Sequence, residues 1–214
     1  MDSIDAIVTN FETALLQINR VKAAGIFDDC LSQGNGFALL ETLVIRSLER
    51  IGSNWENGSV SLSQVYMSGI ICEELIDSYM PRFNIQRKNN SKLAIGVLQD
   101  NHALGKRIVY SILRASGSNI VDFGHGLSVS ALVQKTIENN IDILLISTLM
   151  LPSALKVREV RELLSSEGAS TKIIVGGAPF RLDTNLWRIV GADAYGNNAS
   201  SAIEIIEEMV RSSE

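Results

Sequence analysis

The sequence lacks the cysteine pattern of many secreted proteins, the long apolar runs of membrane-spanning proteins and the positive net charge of many nucleic-acid-binding proteins. Its 214 residues include only two cysteines, Cys30 and Cys72. Two cysteines this far apart cannot make a disulfide framework, so we expect reduced core thiols in a cytoplasmic protein. No run approaches the roughly 20 uncharged apolar residues of a membrane span, and the acidic segment 1–5 is not a basic leader. A net charge of −5 argues against nucleic-acid binding through bulk charge, so neither a membrane nor a nucleic acid is an expected partner.

What the chain does contain is enough apolar sequence for a core, and in the first half it has a helical period. Hydrophobic residues make up 46% of the chain and charged residues 20%. Apolar residues recur every three or four positions over 4–18, 39–51 and 62–79. We therefore predict a small helical bundle as a first domain, over residues 1–88, that ends in a polar, basic linker over 82–91.

Beyond that linker, short apolar runs alternate with helical stretches. Strands are predicted at 93–98, 120–123, 143–146, 173–175 and 194–195. A helix is predicted after each strand, among them a single helix after Pro152 and a helix over 183–190. This alternation is typical of βαβ units, so the sequence predicts an α/β protein whose second domain, 89–214, is a five-stranded, parallel, doubly wound (flavodoxin-like or Rossmann-like) fold. Such sheets bind ligands beyond the carboxyl ends of their strands, so functional residues are expected in the loops that follow the strands.

The loop after the first predicted strand reads Asp-Asn-His-Ala-Leu-Gly over 100–105. A histidine with a carboxylate two residues before it suits a metal ligand whose second nitrogen is held by that carboxylate. The same pattern also suits a helix-capping Asp100 beside an incidental His102. The sequence alone leaves both interpretations open.

The later loops are rich in hydroxyls and glycines. After the third predicted strand, Ser147 and Ser153 lie at the two ends of an apolar turn, where Ser153 could also simply cap the next helix. Gly176 and Gly177 follow the fourth strand, where they allow either a close approach to the backbone or a tight turn. His125, between two glycines after the second strand, is expected in a surface loop.

Taken together, these loops resemble the cobalamin-binding module of methionine synthase, of the corrinoid proteins of anaerobic methyl transfer and of the B12-dependent mutases. The resemblance is carried by Asp-x-His-x-x-Gly after the first strand, by Ser-x-Leu with a second hydroxyl six residues after the first, and by Gly-Gly after the fourth strand. In the first half, the pattern Ile-Gly-x-x-Trp-Glu-x-Gly over 51–58 is similar to the helical cap that precedes this module in methionine synthase and the corrinoid proteins. The resemblance therefore covers nearly the whole chain.

The resemblance implies cobalamin as the cofactor, bound base-off with His102 as the lower ligand of cobalt. Asp100 would accept a hydrogen bond from the other imidazole nitrogen, and Ser153 would extend this relay, so these three are the residues expected to take part in the chemistry. Trp55 and Leu62 would cover the upper, methyl-bearing face. The implied cofactor-binding residues are Trp55, Leu62, Asp100, Asn101, His102, Ala103, Leu104, Gly105, Ser147, Leu149, Leu151, Ser153, Gly176, Gly177, Ala178, Tyr195, Gly196 and Asn198.

By this resemblance the chain is a corrinoid carrier protein, which accepts a methyl group from one methyltransferase and delivers it to a second. The donor would be a methylamine, methanol or an aryl methyl ether, the acceptor tetrahydrofolate or coenzyme M, and a reductive activase would rescue oxidised cobalt. The sequence has no zinc-type Cys/His cluster and no domain of barrel length, which favours a subunit over a complete enzyme. Three alternatives stay open: a B12-dependent light sensor or other regulatory module, a mutase small subunit, and a module that has lost cobalamin.

Overall fold

The computed structural model describes residues 4–32, 36–79 and 91–212, without the side chains of residues 36–38, 41, 104, 199 and 200. The chain separates into two compact units, Met1–Gln86 with Arg114–Gly117, and Arg87–Leu113 with Ser118–Glu214. The predicted linker, apart from Ser91, and the predicted domain boundary after residue 88 lie outside the described residues, so both stay predictions.

The first unit is helical, as its apolar period predicts. Its helices are α1 (Ile4–Leu16), α2 (Arg20–Leu31), α3 (Gly36–Glu56) and α4 (Leu62–Tyr79). Aromatic rings pack at its centre, with the Phe11 and Phe27 centroids 5.3 Å apart and the Phe27 and Tyr79 centroids 5.4 Å apart. None of the helices in the described part of the chain is long and apolar enough to cross a bilayer.

The break between α1 and α2 was not predicted from the apolar pattern. Ile18 adopts a left-handed backbone conformation with φ 56°, which no α-helix can continue through. The Asn19 side chain then accepts the Lys22 N–H at 3.0 Å and caps α2. The apolar runs showed the helical period, and only the cap residue marked where one helix gives way to the next.

The second unit is a five-stranded parallel sheet covered by helices, and the predicted fold class is confirmed. Its strands are β1 (Leu93–Leu98), β2 (Ile120–Leu127), β3 (Ile143–Ser147), β4 (Lys172–Gly176) and β5 (Ala194–Gly196). They pair in the order β2-β1-β3-β4-β5, all parallel. Its helices are α5 (Leu104–Ala115), α6 (Val129–Glu138), α7 (Leu151–Leu155), α8 (Val157–Ser166), α9 (Ala178–Leu182), α10 (Leu186–Ile189) and α11 (Ala199–Arg211).

Both faces of the sheet are buried, which explains why the strands read as continuous apolar runs. Along β3, Leu144 and Ile146 pack into a core that also contains residues of α6 and α8. The alternate residues, Ile143 and Leu145, pack into a second core with residues of α5 and α11. Strands buried on two faces lose the polar alternation of a half-exposed sheet.

Three element boundaries differ from the sequence prediction. β2 continues to Leu127 rather than ending at residue 123, because its pairing with β1 shifts register around Gly96 and passes the positive-φ residues Gly124 and Gly126. The single helix predicted after Pro152 is two helices, α7 and α8. The helix predicted over 183–190 is shortened to α10, since Asp183 is extended, and α9 is an additional short helix before it.

Candidate functional site

The loops that carry the predicted site residues are neighbours because of the strand order. β1 lies between β2 and β3, so the chain leaves β1 on one side to form β2 and returns on the other to form β3. At such a reversal of strand order, the two loops after the central strands diverge and leave a crevice. The loop after β1 contains Asp100 and His102, and the loop after β3 contains Leu149 and Met150.

Asp100 joins these two loops through a buried carboxylate. Its Oδ1 accepts the His102 N–H at 2.9 Å and also bonds His102 Nδ1, and its Oδ2 accepts the N–H groups of Leu149 at 3.0 Å and Met150 at 3.2 Å. Burial alone would raise the pKa of this carboxyl, but the hydrogen bonds from His102, Leu149 and Met150 outweigh burial and lower it. Asp100 is therefore a buried anion at neutral pH.

His102 is held at one ring nitrogen and open at the other. The Asp100 side chain is only 1% exposed, whereas the His102 side chain is 60% exposed. A carboxylate on Nδ1 fixes the tautomer that carries the proton there and leaves the Nε2 lone pair available. The pair therefore presents an accessible, oriented nitrogen ligand at the carboxyl edge of the sheet.

Ser153 does not make the hydrogen bond to Asp100 that the resemblance implies. Its buried hydroxyl donates to the main-chain carbonyl of Gln99 at 3.3 Å, and not to the Asp100 carboxylate. The Asp100 oxygens already hold their donors from His102, Leu149 and Met150. Ser153 lies inside α7, which has Met150 at its N-cap, so the alternative of a capping serine is wrong as well.

Position 177 must be glycine because the main chain of Thr148 lies directly against it. Gly177 has φ 115°, and a Cβ there would lie 1.8 Å from the main-chain oxygen of Thr148. The predicted close approach at this glycine is therefore made by the loop after β3. At Gly176 a Cβ would meet the Gly196 oxygen at 3.4 Å, a tight contact between β4 and β5.

Two further features of the site are an open space at Gly105 and an unpartnered hydroxyl on Thr148. A Cβ on Gly105 would meet only the Ser147 hydroxyl oxygen, at 4.0 Å, so space is left between the first turn of α5 and the end of β3. The Thr148 hydroxyl is buried and lacks a hydrogen-bond partner among the described residues. Buried polar groups are usually paired, so an unpaired hydroxyl in the loop after β3 suits a contact with a ligand.

The remaining predicted residues of this unit lie at the same sheet edge. Leu149 and Leu151 are exposed apolar side chains in and just after the loop that follows β3. Asn198 caps α11, and its side chain accepts the Ser201 N–H at 2.8 Å. The side chain of Leu104 lies outside the described part of the structure. Asn101 and Ala103 follow Asp100 in the loop after β1, and Ala178, Tyr195 and Gly196 lie at the ends of β4 and β5.

Trp55 and Leu62 belong to the helical unit. Trp55 is 40% exposed near the end of α3, and Leu62 is 59% exposed as the first residue of α4. The same unit has a polar cavity of about 450 Å³ that contains none of the predicted site residues and is lined by Glu12, Arg46, Glu49, Arg50, Ser53 and Asn54.

Sequence reasoning missed His125 as a neighbour of the site. His125 lies within β2, not in a loop after it, and its Nδ1 is 3.3 Å from Asn101 Oδ1. The signal available in the sequence was the glycine on each side, which marks an irregular strand end. The buried Lys106, ion-paired with Asp122 of β2, was missed too.

Comparison with known proteins gives one consistent result. The model of the B12-binding domain family matches residues 91–204. Dimethylamine corrinoid protein 2 of Methanosarcina mazei is 30% identical over 178 residues, which are 80% of this chain and 82% of that protein.

Two solved structures share the fold over nearly the whole chain. The monomethylamine corrinoid protein of Methanosarcina barkeri aligns with a TM-score of 0.69 at 23% identity, over 97% of this chain and 100% of that one. The methanol:cobalamin methyltransferase complex of the same organism contains a chain that aligns with a TM-score of 0.62 at 20% identity, over 97% of this chain and 80% of that one.

Proposed function

Because the chain belongs to the B12-binding domain family and its cofactor is accordingly a corrinoid, we propose that it is the carrier subunit of a methylamine methyltransferase system. The observation that carries the proposal is the Asp100–His102 pair, a buried carboxylate that holds one imidazole nitrogen and leaves the other exposed. The similar proteins whose names include dimethylamine and monomethylamine support a methylamine as the methyl donor.

The residues present fit a corrinoid on two counts. The exposed Nε2 of His102 offers one nitrogen ligand, which suits a metal that brings its own macrocycle; among the described residues, no three His, Cys, Asp or Glu side chains come together as a site for a bare metal ion. The space at Gly105 and the unpartnered hydroxyl of Thr148 suit a buried, polar portion of the cofactor.

Within this proposal, His102 would be the lower ligand of cobalt, and Asp100 would hold the imidazole of His102 in place. When bound, the corrinoid supplies a cobalt centre that can take up and release a methyl group. The Asp100 carboxylate would orient the imidazole and make Nε2 a stronger ligand for the metal.

The other residues would hold and shield the cofactor. Ser147, Gly105 and Thr148 would contact its buried portion, and Ser153 would fix the backbone of Gln99 just before Asp100. Trp55 and Leu62, exposed apolar residues of the helical unit, would cover the reactive face and exclude water until a partner displaces them.

The partners follow from the carrier role. We propose a methylamine-specific methyltransferase as donor, a second methyltransferase with tetrahydrofolate or coenzyme M as acceptor, and a reductive activase. The similar chain in a solved methanol:cobalamin methyltransferase complex supports the first of these partners.

Reconstitution followed by methylation tests the proposal. The apo-protein is mixed with hydroxocobalamin under anaerobic, reducing conditions and desalted, and is then treated with methyl iodide or with mono-, di- or trimethylamine and the matching methyltransferase. We expect retained cobalamin, methylation by methyl iodide, and methylation by at least one of the three enzymes. A protein that retains no cobalamin would contradict the carrier role, and one that methyl iodide alone methylates would contradict the methylamine donor.

A further inference from the structure

A hydrogen bond from β2 reaches the residue between Asp100 and His102. His125 Nδ1 lies 3.3 Å from Asn101 Oδ1. Because an amide oxygen only accepts, the Nδ1 of His125 carries the proton and donates it in this bond. Both residues are exposed. Their hydrogen bond links the loop after β1 to the end of β2.

The backbone of β2 is shaped to this same loop. The Gly126 N–H donates to the Asp100 carbonyl at 2.7 Å, and the Gln99 N–H donates to the Leu127 carbonyl at 2.8 Å. A Cβ on Gly126, which has φ 67°, would lie only 2.8 Å from Asn101 Oδ1. Glycine at this position therefore lets the Asn101 side chain lie against β2.

An ion pair to a buried lysine holds the part of β2 that precedes His125. Lys106 of α5, with a side chain only 5% exposed, pairs with the Asp122 carboxylate of β2. The other oxygen of Asp122 accepts the Gly124 N–H at 2.7 Å. These two contacts hold Asp122 and Gly124, and so place the backbone of His125.

We propose that His125 is a positioning residue, which holds Asn101 and so keeps the loop in the place from which His102 ligates the corrinoid cobalt. This inference rests on the proposed function, since it takes His102 as the lower ligand. The His125 contact is exposed and is made by one hydrogen bond, so its loss leaves the backbone contacts and the fold intact. Protonation of the ring adds a proton at Nε2 and leaves the donor at Nδ1 in place.

A matched pair of substitutions isolates the hydrogen bond. In His125→Asn the side-chain N–H₂ takes the place of the ring Nδ1 and keeps a donor, whereas His125→Leu keeps bulk and removes the donor. Val121→Ala, at another exposed position of β2, controls for any disturbance of the strand. Urea unfolding of each variant checks that stability is unchanged.

The readout is acid titration of the fully loaded cobalamin protein, followed by the visible spectrum that separates the His-on from the His-off form. The loss of one hydrogen bond weakens the His-on form by about threefold to tenfold, which raises the pH midpoint of its loss by about 0.5 to 1 unit. We expect this shift in His125→Leu, and wild-type behaviour in His125→Asn and Val121→Ala. In an Asn101→Leu background, His125→Leu should add no further shift, since the two side chains act as a pair.

The outcomes separate this inference from the function on which it rests. If wild type lacks a transition that His102→Ala removes, the proposed function is wrong and the inference falls with it. If that transition is present but His125→Leu leaves its midpoint in place, the inference alone is wrong. An Asn variant that behaves like the Leu variant also overturns it, because the retained donor should restore the midpoint.

Discussion

Asp100 is a buried, charged side chain, so its substitution should change the free energy of unfolding by an amount that depends on pH. Its carboxylate accepts four bonds, from three N–H groups and the His102 ring. We expect Asp100→Asn to lower the free energy of unfolding of the apo-protein by about 1 to 3 kcal/mol at neutral pH, because the Leu149 and Met150 N–H groups lose a charged acceptor.

This contribution should disappear in acid. The pKa of Asp100 is lowered from 3.8 in the folded protein, so the carboxylate stabilises the fold fully above that value and loses its effect as the pH falls through the lower, folded pKa. Urea unfolding of wild type and Asp100→Asn at neutral pH and at successively lower pH values measures the difference, with Asp29→Asn, at an exposed position of α2, as control. A difference that stays constant into acid would contradict the account.

Two glycines of the site should respond in opposite ways to alanine. In Gly177→Ala the new Cβ would meet the Thr148 oxygen at 1.8 Å, so we expect a loss of about 2 kcal/mol or more in stability. In Gly105→Ala the apo-protein should be as stable as wild type or slightly more so, since alanine favours the helix, but corrinoid retention should fall. Thermal unfolding and desalting after reconstitution measure both effects, and equal effects of the two substitutions on stability would contradict the geometry.

At the scale of whole elements, the sequence predicted strands better than it predicted their ends. β1, β3 and β4 are apolar on both faces, so burial in a parallel sheet leaves a clear signal. The end of β2 has no apolar run that would predict a strand. Gly124 and Gly126 are typical of a turn, and they belong to the strand only because they pair with β1.

The same limit applies to the site. The resemblance implied the contact between Asp100 and His102, which their spacing alone left open. The Leu149 and Met150 N–H groups that also bind Asp100 are backbone groups with no sequence signature. The Ser153 hydroxyl could be foreseen near the loop but not its choice of the Gln99 carbonyl, which depends on the position of α7.

The helix α11 allows a test of whether a predicted cofactor residue also has a structural role. Asn198→Ala removes the cap of α11 and should cost about 1 kcal/mol in stability, whereas Asn198→Asp keeps the cap and should cost little. Thermal unfolding of the apo-protein measures this. If Asn198→Ala were as stable as wild type, the cap would not be a stabilising contact.

At the scale of the whole molecule, the proposal gives the helical unit the task of covering the cofactor. Trp55 is 40% exposed, so Trp55→Ala removes only part of the packing of a buried tryptophan and should lower the free energy of unfolding by about 1 to 2 kcal/mol. In the protein loaded with methylcobalamin, however, the substitution should speed light-driven loss of the methyl group severalfold. Val21→Ala, at an exposed apolar position of α2, is the control, and equal rates in all three proteins would contradict a covering role for Trp55.

The central claim is that His102 is the lower ligand of the bound corrinoid, and electron paramagnetic resonance of the cobalt(II) form tests it most directly. The protein is produced with natural histidine and with 15N-labelled histidine, loaded with cobalamin, and compared with His102→Ala and His125→Leu. The account predicts a nitrogen splitting that changes on labelling, persists in His125→Leu and is absent in His102→Ala. A splitting unaffected by the label, or one that survives in His102→Ala, would contradict it.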